Sequence, residues 1–527
     1  MIDDVIGSYL DNIEEREFDG PFLALLRAIG FVDIHFLHGS FEFGKDFIAK
    51  GSLDGVLCQF AFQTKAGDLG LADWNACRGQ IDLLRTNSLA HPAFDPELPR
   101  EAVFVTTGRL VGGAPLAAQD YSQYLSSTKD TKFVLWDKET LVSMISSRPE
   151  IALVGASDGA LLELLGQIDG NRIVSSKIEC SSRRWFSCED TTSLYKGVFE
   201  AALIAHRLRR RGRLDLACFA CLCLIRAAWA LAHGTEPPDS HALLVANTGR
   251  TMFQHYAAAL WTSCCDETLD PLKLIHAHEL PSSYVTYPVR CVMLIELLGL
   301  SGLLDIEEKG AEGESKARFV AKFFRSQPGA SHPISDRWAV SLIPPVLLLG
   351  RTGFISEIRN VLKQVIKWVG DHYDSGSLGL SSPYSEPDEE VARLLGSPFE
   401  HVSFDRRVES YISTVVLDLA AMLRLGETFE LARNDFLAVG ALSSVIEVAD
   451  SRDQYGFGGK EIRFEPNLIY GDTLPQEGWK VSPYHERAPK QYYLQRIGRP
   501  WDHLAISAVL RDRHFLYTCL GFLGGSD

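Results

Sequence analysis

The apolar pattern of this chain changes period near residue 150, and no other feature constrains its fold as much. Before that point short extended apolar runs alternate with helix-spaced ones; after it nearly every apolar residue recurs at helical spacing. The two periods bury different surfaces, so they specify two kinds of body. At 527 residues the chain exceeds one ordinary domain, and two to four are expected.

In the first part, residues 18–29 predict a helix that stops at Gly30, followed by a strand over 31–37. A turn containing Gly39 and Gly44 leads to a short strand, DFIAK, and GSLDG at 51–55 reads as a second turn. Strands are predicted at 56–66, 102–108 and 132–137, and helices at 71–85, 115–126 and 138–146. This alternation predicts an α/β domain with a mixed central sheet over residues 1–150. A connecting segment follows over 151–190. Residues 191–527 read as a mainly helical region of one or two domains, with helices near 194–211, 214–233, 241–262, 286–303, 316–326, 336–350, 353–372, 406–424, 427–449 and 502–522. The segment 374–390 reads as a mobile loop and 452–500 as irregular. No repeat period appears, and GFGGKE at 456–461 lacks the spacing of a nucleotide-binding loop.

Composition excludes several classes. Hydrophobic residues make up 46% and charged residues 23%, a globular profile. The net charge of −16 excludes a general nucleic-acid coat, so any DNA contact must be a local patch. Eleven cysteines without a repeating frame read as buried thiols in a reducing compartment. No apolar run reaches the roughly 20 residues of a membrane helix, and the acidic start MIDDVIGSYL lacks a signal core. The expectation is a cytoplasmic protein with no membrane partner.

One stretch carries chemistry: Asp46, a turn, then Gln63-Thr64-Lys65. Side chains alternate along a strand, so Gln63 and Lys65 share a face. Folding the Asp46 strand back beside 56–66 gathers a carboxylate, a carboxamide and an ammonium at one sheet edge. A hard divalent cation takes oxygen ligands, which Asp46, Gln63 and the Thr64 backbone carbonyl can supply. Lys65 can orient a water, accept its proton or offset phosphate charge.

These residues sit in a longer pattern. FDGPFLALLRAIGF at 18–31 is followed by Gly39-Ser40-Phe41-Glu42-Phe43-Gly44-Lys45-Asp46, then the Gln-x-Lys strand, a helix, FVTTG, GAPLAAQDY, FVLWD and a closing helix. The order resembles the Mrr-like branch of the PD-(D/E)xK restriction endonucleases, in the variant with Gln-x-Lys, across about residues 10–147. The resemblance implies a restriction-endonuclease-like fold and Mg²⁺-dependent cleavage of DNA, with Mn²⁺ able to substitute. It implies Asp46, Gln63 and the Thr64 carbonyl as metal ligands and Lys65 as the catalytic lysine. Asp19 is either an auxiliary acid near the metal or a helix N-cap. Glutamine in place of glutamate lowers the negative charge of the site and weakens metal binding. A nuclease joined to a large helical body is similar to effectors of prokaryotic anti-phage defence. That similarity implies a homo-oligomer or a complex with another defence protein. Two alternatives stay open: a catalytically silent nuclease fold used for nucleic-acid binding or assembly, and an RNase or tRNA-cleaving toxin.

Other residues have competing readings. Arg78 and Gln80 suit either DNA-backbone contact or surface packing. Glu42 reads as a solvated turn residue. RLRRRGR at 207–213 reads as a helix C-terminus, where cations complement the dipole, before a phosphate-binding patch. Cys218, Cys221, Cys223, Cys264 and Cys265 read as structural thiols, and His233, His241 and His255 as structural histidines.

Overall fold

A computed structural model describes residues 2–37, 45–53, 55–86, 91–95, 97–128, 132–147, 151, 159–171, 173–185, 191–232, 240–266, 268–275, 283–308, 310–375, 409–446, 455–456, 464–466, 499–514 and 522. The chain divides into two compact units: Met1–Glu163 with Ser187–Leu203, and Leu164–Phe186 with Ile204–Asp527.

The first unit is an α/β body. Helices α1 (Ile2–Asn12) and α2 (Glu15–Ala28) lead into β1 (Val32–Phe36), β2 (Phe47–Leu53) and β3 (Val56–Lys65). Then come α3 (Leu71–Thr86), β4 (Arg100–Thr106), α4 (Ala114–Thr128), β5 (Lys132–Trp136) and α5 (Lys138–Ser146). The five strands form one mixed sheet in chain order. β1–β2 and β2–β3 are antiparallel, whereas β3–β4 and β4–β5 are parallel. β2 runs past the expected turn at 51–55, and Leu53 pairs with Val56 in a tight hairpin whose Gly55 takes φ +80°.

Alternation along β3 sets the two faces of the sheet. Phe60 and Phe62 point to an aromatic cluster with Phe22 of α2, Phe31 and Trp136. Ala61, Ala102, Phe104 and Phe133 point the other way, into a core with Trp74 and Ile81 of α3 and Tyr121 of α4. By the same alternation Gln63 and Lys65 lie on the α3–α4 face. The loops after β3 and β4 cross closely: a Cβ at Gly108 would lie 2.1 Å from the Gly67 backbone. Only glycine permits that approach, and it closes the edge where the parallel strands end.

The second unit is mainly helical, with α6 (Gly159–Asp169) spanning the division and α7 (Ser175–Ser182) within it. The segment expected to connect the two regions therefore carries helices. There follow α8 (Thr191–Arg210), which also spans the division, with residues up to Leu203 in the first unit, then α9 (Leu214–Ala232), α10 (Ser240–Cys264), α11 (Ser283–Glu307), α12 (Gly313–Ser326), α13 (Ile343–Arg351) and α14 (Ile355–Ser375). After these come β6 (Glu409–Ser410), α15 (Tyr411–Met422), α16 (Gly426–Ala438), β7 (Leu442–Ile446), β8 (Phe464–Pro466) and α17 (Pro500–Leu510). α9 is long and apolar enough to cross a membrane, but 89% of that stretch is buried inside the fold. It is a core helix.

Three expected helices differ: the one over 502–522 stops at Leu510, where Arg511 takes φ +67°. The one over 336–350 begins as 3₁₀ turns at Asp336–Trp338 and Val340–Leu342, and α13 starts only at Ile343. Pro344 and Pro345 have no N–H to continue an earlier helix, but they fit a first turn. The one over 427–449 stops at Ala438. Gly440 takes φ +72° and Ala441 N–H bonds back to Phe436 O at 2.8 Å, a glycine-dependent helix stop. The chain then enters β7, the middle of a three-stranded sheet with β6 and β8. The segments 376–390 and 467–498, and His233, lie outside the described residues.

Candidate active site at the sheet edge

The β2–β3 ladder pairs Phe47 with Phe62. Carried one residue further, the register sets Asp46 opposite Gln63, and the Asp46 N–H donates to Phe62 O at 2.8 Å. Beyond this point no main-chain carbonyl among the described residues accepts the Thr64 N–H, which looks the same way as that of Phe62. The Asp46 carboxylate takes over: Oδ2 accepts the Thr64 N–H at 2.6 Å, the Thr64 hydroxyl at 2.9 Å and the Gln63 Nε2 at 2.8 Å. The same Nε2 lies 3.5 Å from the Thr64 carbonyl. The expected carboxylate, carboxamide and carbonyl thus meet at one point. Among the described residues no donor reaches Asp46 Oδ1. Burial pushes the Asp46 carboxyl up from its ordinary range, against the Thr64 hydrogen bonds and the nearby Lys65 charge, and Glu15 pushes it further.

Lys65 ends β3, with Thr107 N–H bonded to its carbonyl at 3.0 Å. Its ammonium donates to Glu15 at 3.2 and 3.4 Å. Glu15 opens α2, and the sequence reading passed over it. The signal was present in the run Glu14-Glu15-Arg16-Glu17, because acidic residues favour a helix N-terminus. That early start overturns the helix-cap alternative for Asp19. The cap position is Glu14, so Asp19 lies a turn inside the helix, four residues after Glu15 and half-buried, and does not cap it.

Lys45 is a second residue that the motif reading did not single out. It is fully buried, and its Nζ donates to Leu83 O in the last turn of α3 at 2.9 Å. Arg100 bonds Arg85 O in the same turn at 3.2 Å, so two cations meet the negative end of the α3 dipole. Burial, with repulsion from Arg100, lowers the Lys45 ammonium to about 8.

A hard cation suits oxygen donors. Asp46 Oδ1, the Thr64 carbonyl and the Gln63 carboxamide oxygen, after rotation of its amide, supply three neutral or anionic oxygens in one place. The donor set fits such an ion. Among the described residues there is no group of three His, Cys, Asp or Glu side chains placed to hold a metal, so the amide and the carbonyl are indispensable to the fit.

The other candidates lie elsewhere. Arg78 packs over the Tyr121 ring at 4.9 Å, and Gln80 is exposed on α3. Gly39, Glu42 and Gly44 lie outside the described residues. The basic cluster closes α8: Arg207 and Arg211 pair with Asp169, Arg209 bonds His255, and Arg213 pairs with buried Asp215. Cys218, Cys221 and Cys223 are buried in α9, and burial raises all three thiols. Cys264 is buried and Cys265 exposed. Comparison of the chain with family models, with characterised proteins and with solved structures finds no match.

Proposed function

We propose that the first unit is a metal-dependent nuclease that hydrolyses phosphodiester bonds in DNA, in the manner its Mrr-like sequence pattern implies. The observation that carries this reading is the meeting of Asp46, Gln63 and the Thr64 carbonyl one residue from Lys65 at a sheet edge. Asp46, Gln63 and Thr64 would hold Mg²⁺ or Mn²⁺. When bound, the ion lowers the pKa of a ligated water and offsets charge on the scissile phosphate. The chain's own residues supply position and proton control. Lys65 reaches beyond the ligand cluster, placed to orient a water or neutralise a phosphate oxygen. Glu15 holds the Lys65 ammonium when no substrate is present. In the same reading the helical unit receives a signal or partner and the nuclease acts in the cytoplasm as an anti-phage effector. A homo-oligomer would bring two such sites to a duplex.

A second reading has an observation in its favour. Asp46 Oδ2 already holds three hydrogen bonds, which is what a purely structural carboxylate at the end of a ladder would do. A catalytically silent fold that binds nucleic acid would keep those bonds and need no ion.

Purified full-length protein incubated with supercoiled plasmid, single-stranded DNA and RNA, with Mg²⁺, Mn²⁺ or EDTA, separates these readings. Metal-dependent nicking of DNA that Lys65→Ala removes supports the DNase. Cleavage of RNA alone would reassign the substrate. No cleavage of any substrate, with nucleic-acid binding retained, would favour the silent fold.

A further inference from the structure

We propose that the cleft between α4 and β5 is a pocket for a single nucleobase, placed to take one base of a strand held at the Lys65 end of the sheet. That source for the base rests on the nuclease reading above. The chemistry of the pocket itself does not.

Position is the first argument. β3, β4 and β5 are parallel, so they end at one edge, and ligands of such sheets bind beyond the carboxyl ends of the strands. Thr107 is bonded to the Lys65 carbonyl, and two residues later Arg109 and Leu110 form a wall of the cleft. Asp137 and Glu139, just after β5, form another. Two strand spacings, about 10 Å, separate β3 from β5.

Size and lining are the second. The cleft measures about 480 Å³, within the roughly 300–1,000 Å³ of small-molecule sites. Pro115, Phe133 and Leu135 give it an apolar surface suited to a flat ring. Gln119, Ser122 and Gln123 line it from one face of α4. Among the described residues neither glutamine carboxamide has a hydrogen-bond partner. Each offers a donor and an acceptor in one plane, which matches the edge of a base.

Charge is the third. The lining carries one cation, Arg109, and two carboxylates, Asp137 and Glu139. Arg109 is bound to Glu139, with Nε at 3.0 Å, and Asp137 caps α5 through Thr140. A phosphate gains nothing from such a lining. A neutral base can enter while its phosphates stay outside, toward Lys65.

The test uses full-length Lys65→Ala protein, so that bound strands stay uncut, and oligonucleotides carrying 2-aminopurine at successive positions. The expected result is a severalfold fluorescence change at one position, as for a base drawn from its stack. Adding Ser122→Trp, which fills an exposed part of the cleft, should abolish it with the melting temperature unchanged. Gln119→Ala with Gln123→Ala should weaken it about tenfold. No change at any position, or a change that survives Ser122→Trp, overturns the proposal. If no oligonucleotide binds, the nuclease reading fails and free nucleosides decide the pocket. Calorimetric binding that Ser122→Trp removes supports a nucleoside site fed from solution, and no binding overturns it.

Discussion

Asp46 accepts both the backbone N–H and the hydroxyl of Thr64 through one oxygen, at 2.6 and 2.9 Å. The carboxylate stands in for the main-chain carbonyl that β2 would have offered had it continued. Fold and proposed chemistry therefore draw on the same side chain, and two substitutions should separate them. Asp46→Asn keeps an acceptor oxygen and should cost about 1 kcal/mol, whereas Asp46→Ala strands the Thr64 N–H and should cost about 2–3 kcal/mol. Both should reduce metal-dependent cleavage at least about 100-fold. Urea unfolding and plasmid nicking measure the two effects. Equal stability of Asp46→Ala and wild type would show that the cap contributes nothing.

The Glu15–Lys65 pair should behave in the opposite way. Its side chains are 47% and 24% exposed, and such pairs contribute at most about 1 kcal/mol. Lys65→Ala should therefore unfold at nearly the wild-type urea midpoint while losing about 100-fold or more of its cleavage rate. Glu15→Gln keeps the size of the side chain and removes its charge. It should lower activity less than Lys65→Ala does and leave stability unchanged. A loss of stability in Lys65→Ala comparable to its loss of activity would make Lys65 a structural residue.

What could be read in the sequence divides along physical lines. Apart from α1, which the sequence reading did not include, the strands and helices of the first α/β body were legible because each has a clear period and a glycine or polar boundary: α5 spans the expected 138–146, and β3 differs from expectation by one residue. The cross-strand meeting of Asp46 and Gln63 was legible in outline, since a turn between two short strands leaves few registers. The Thr64 hydrogen bonds were not, because they arise where the ladder stops. Glu15 was hidden by the start of α2, which acidic residues set four positions before Asp19. Lys45 was hidden because a lysine in a turn reads as solvated, and only the fold reveals the α3 carbonyl that receives it. Among the helices, 3.6-residue spacing ran on through Gly440 into a strand that periodicity alone could not distinguish.

Lys45 gives a pH dependence with a definite sign. Burial holds its ammonium near 8, below the ordinary 10.5. Between those values the unfolded chain binds more protons than the folded one, so stability rises with pH across that window. The contribution is complete above 10.5 and is lost as pH falls through 8. At full size it amounts to about 3 kcal/mol. Wild type should gain on Lys45→Met as pH is raised from 8 to 10, measured by urea midpoints at matched ionic strength. A constant difference between the two proteins would mean that Lys45 titrates normally.

The helical unit offers a test in which the double substitution is informative. Arg511 follows α17 at φ +67° and donates through one nitrogen to both Glu296 oxygens, at 2.9 and 2.7 Å, and to Ser341 at 2.9 Å. Its guanidinium lies over Trp338, 5.4 Å from the ring centre. Arg511 and Glu296 are 8% and 2% exposed, so either charge left alone is costly. Arg511→Met should destabilise the protein by about 3–5 kcal/mol, and Glu296→Leu by a similar amount. The two together should cost far less than their sum, because no unpaired charge remains and the apolar side chains can pack under Trp338. Additive losses would instead show that the two side chains act independently, Arg511 through Trp338 and Glu296 through Ser341. Calorimetric melting of the four proteins distinguishes the two outcomes.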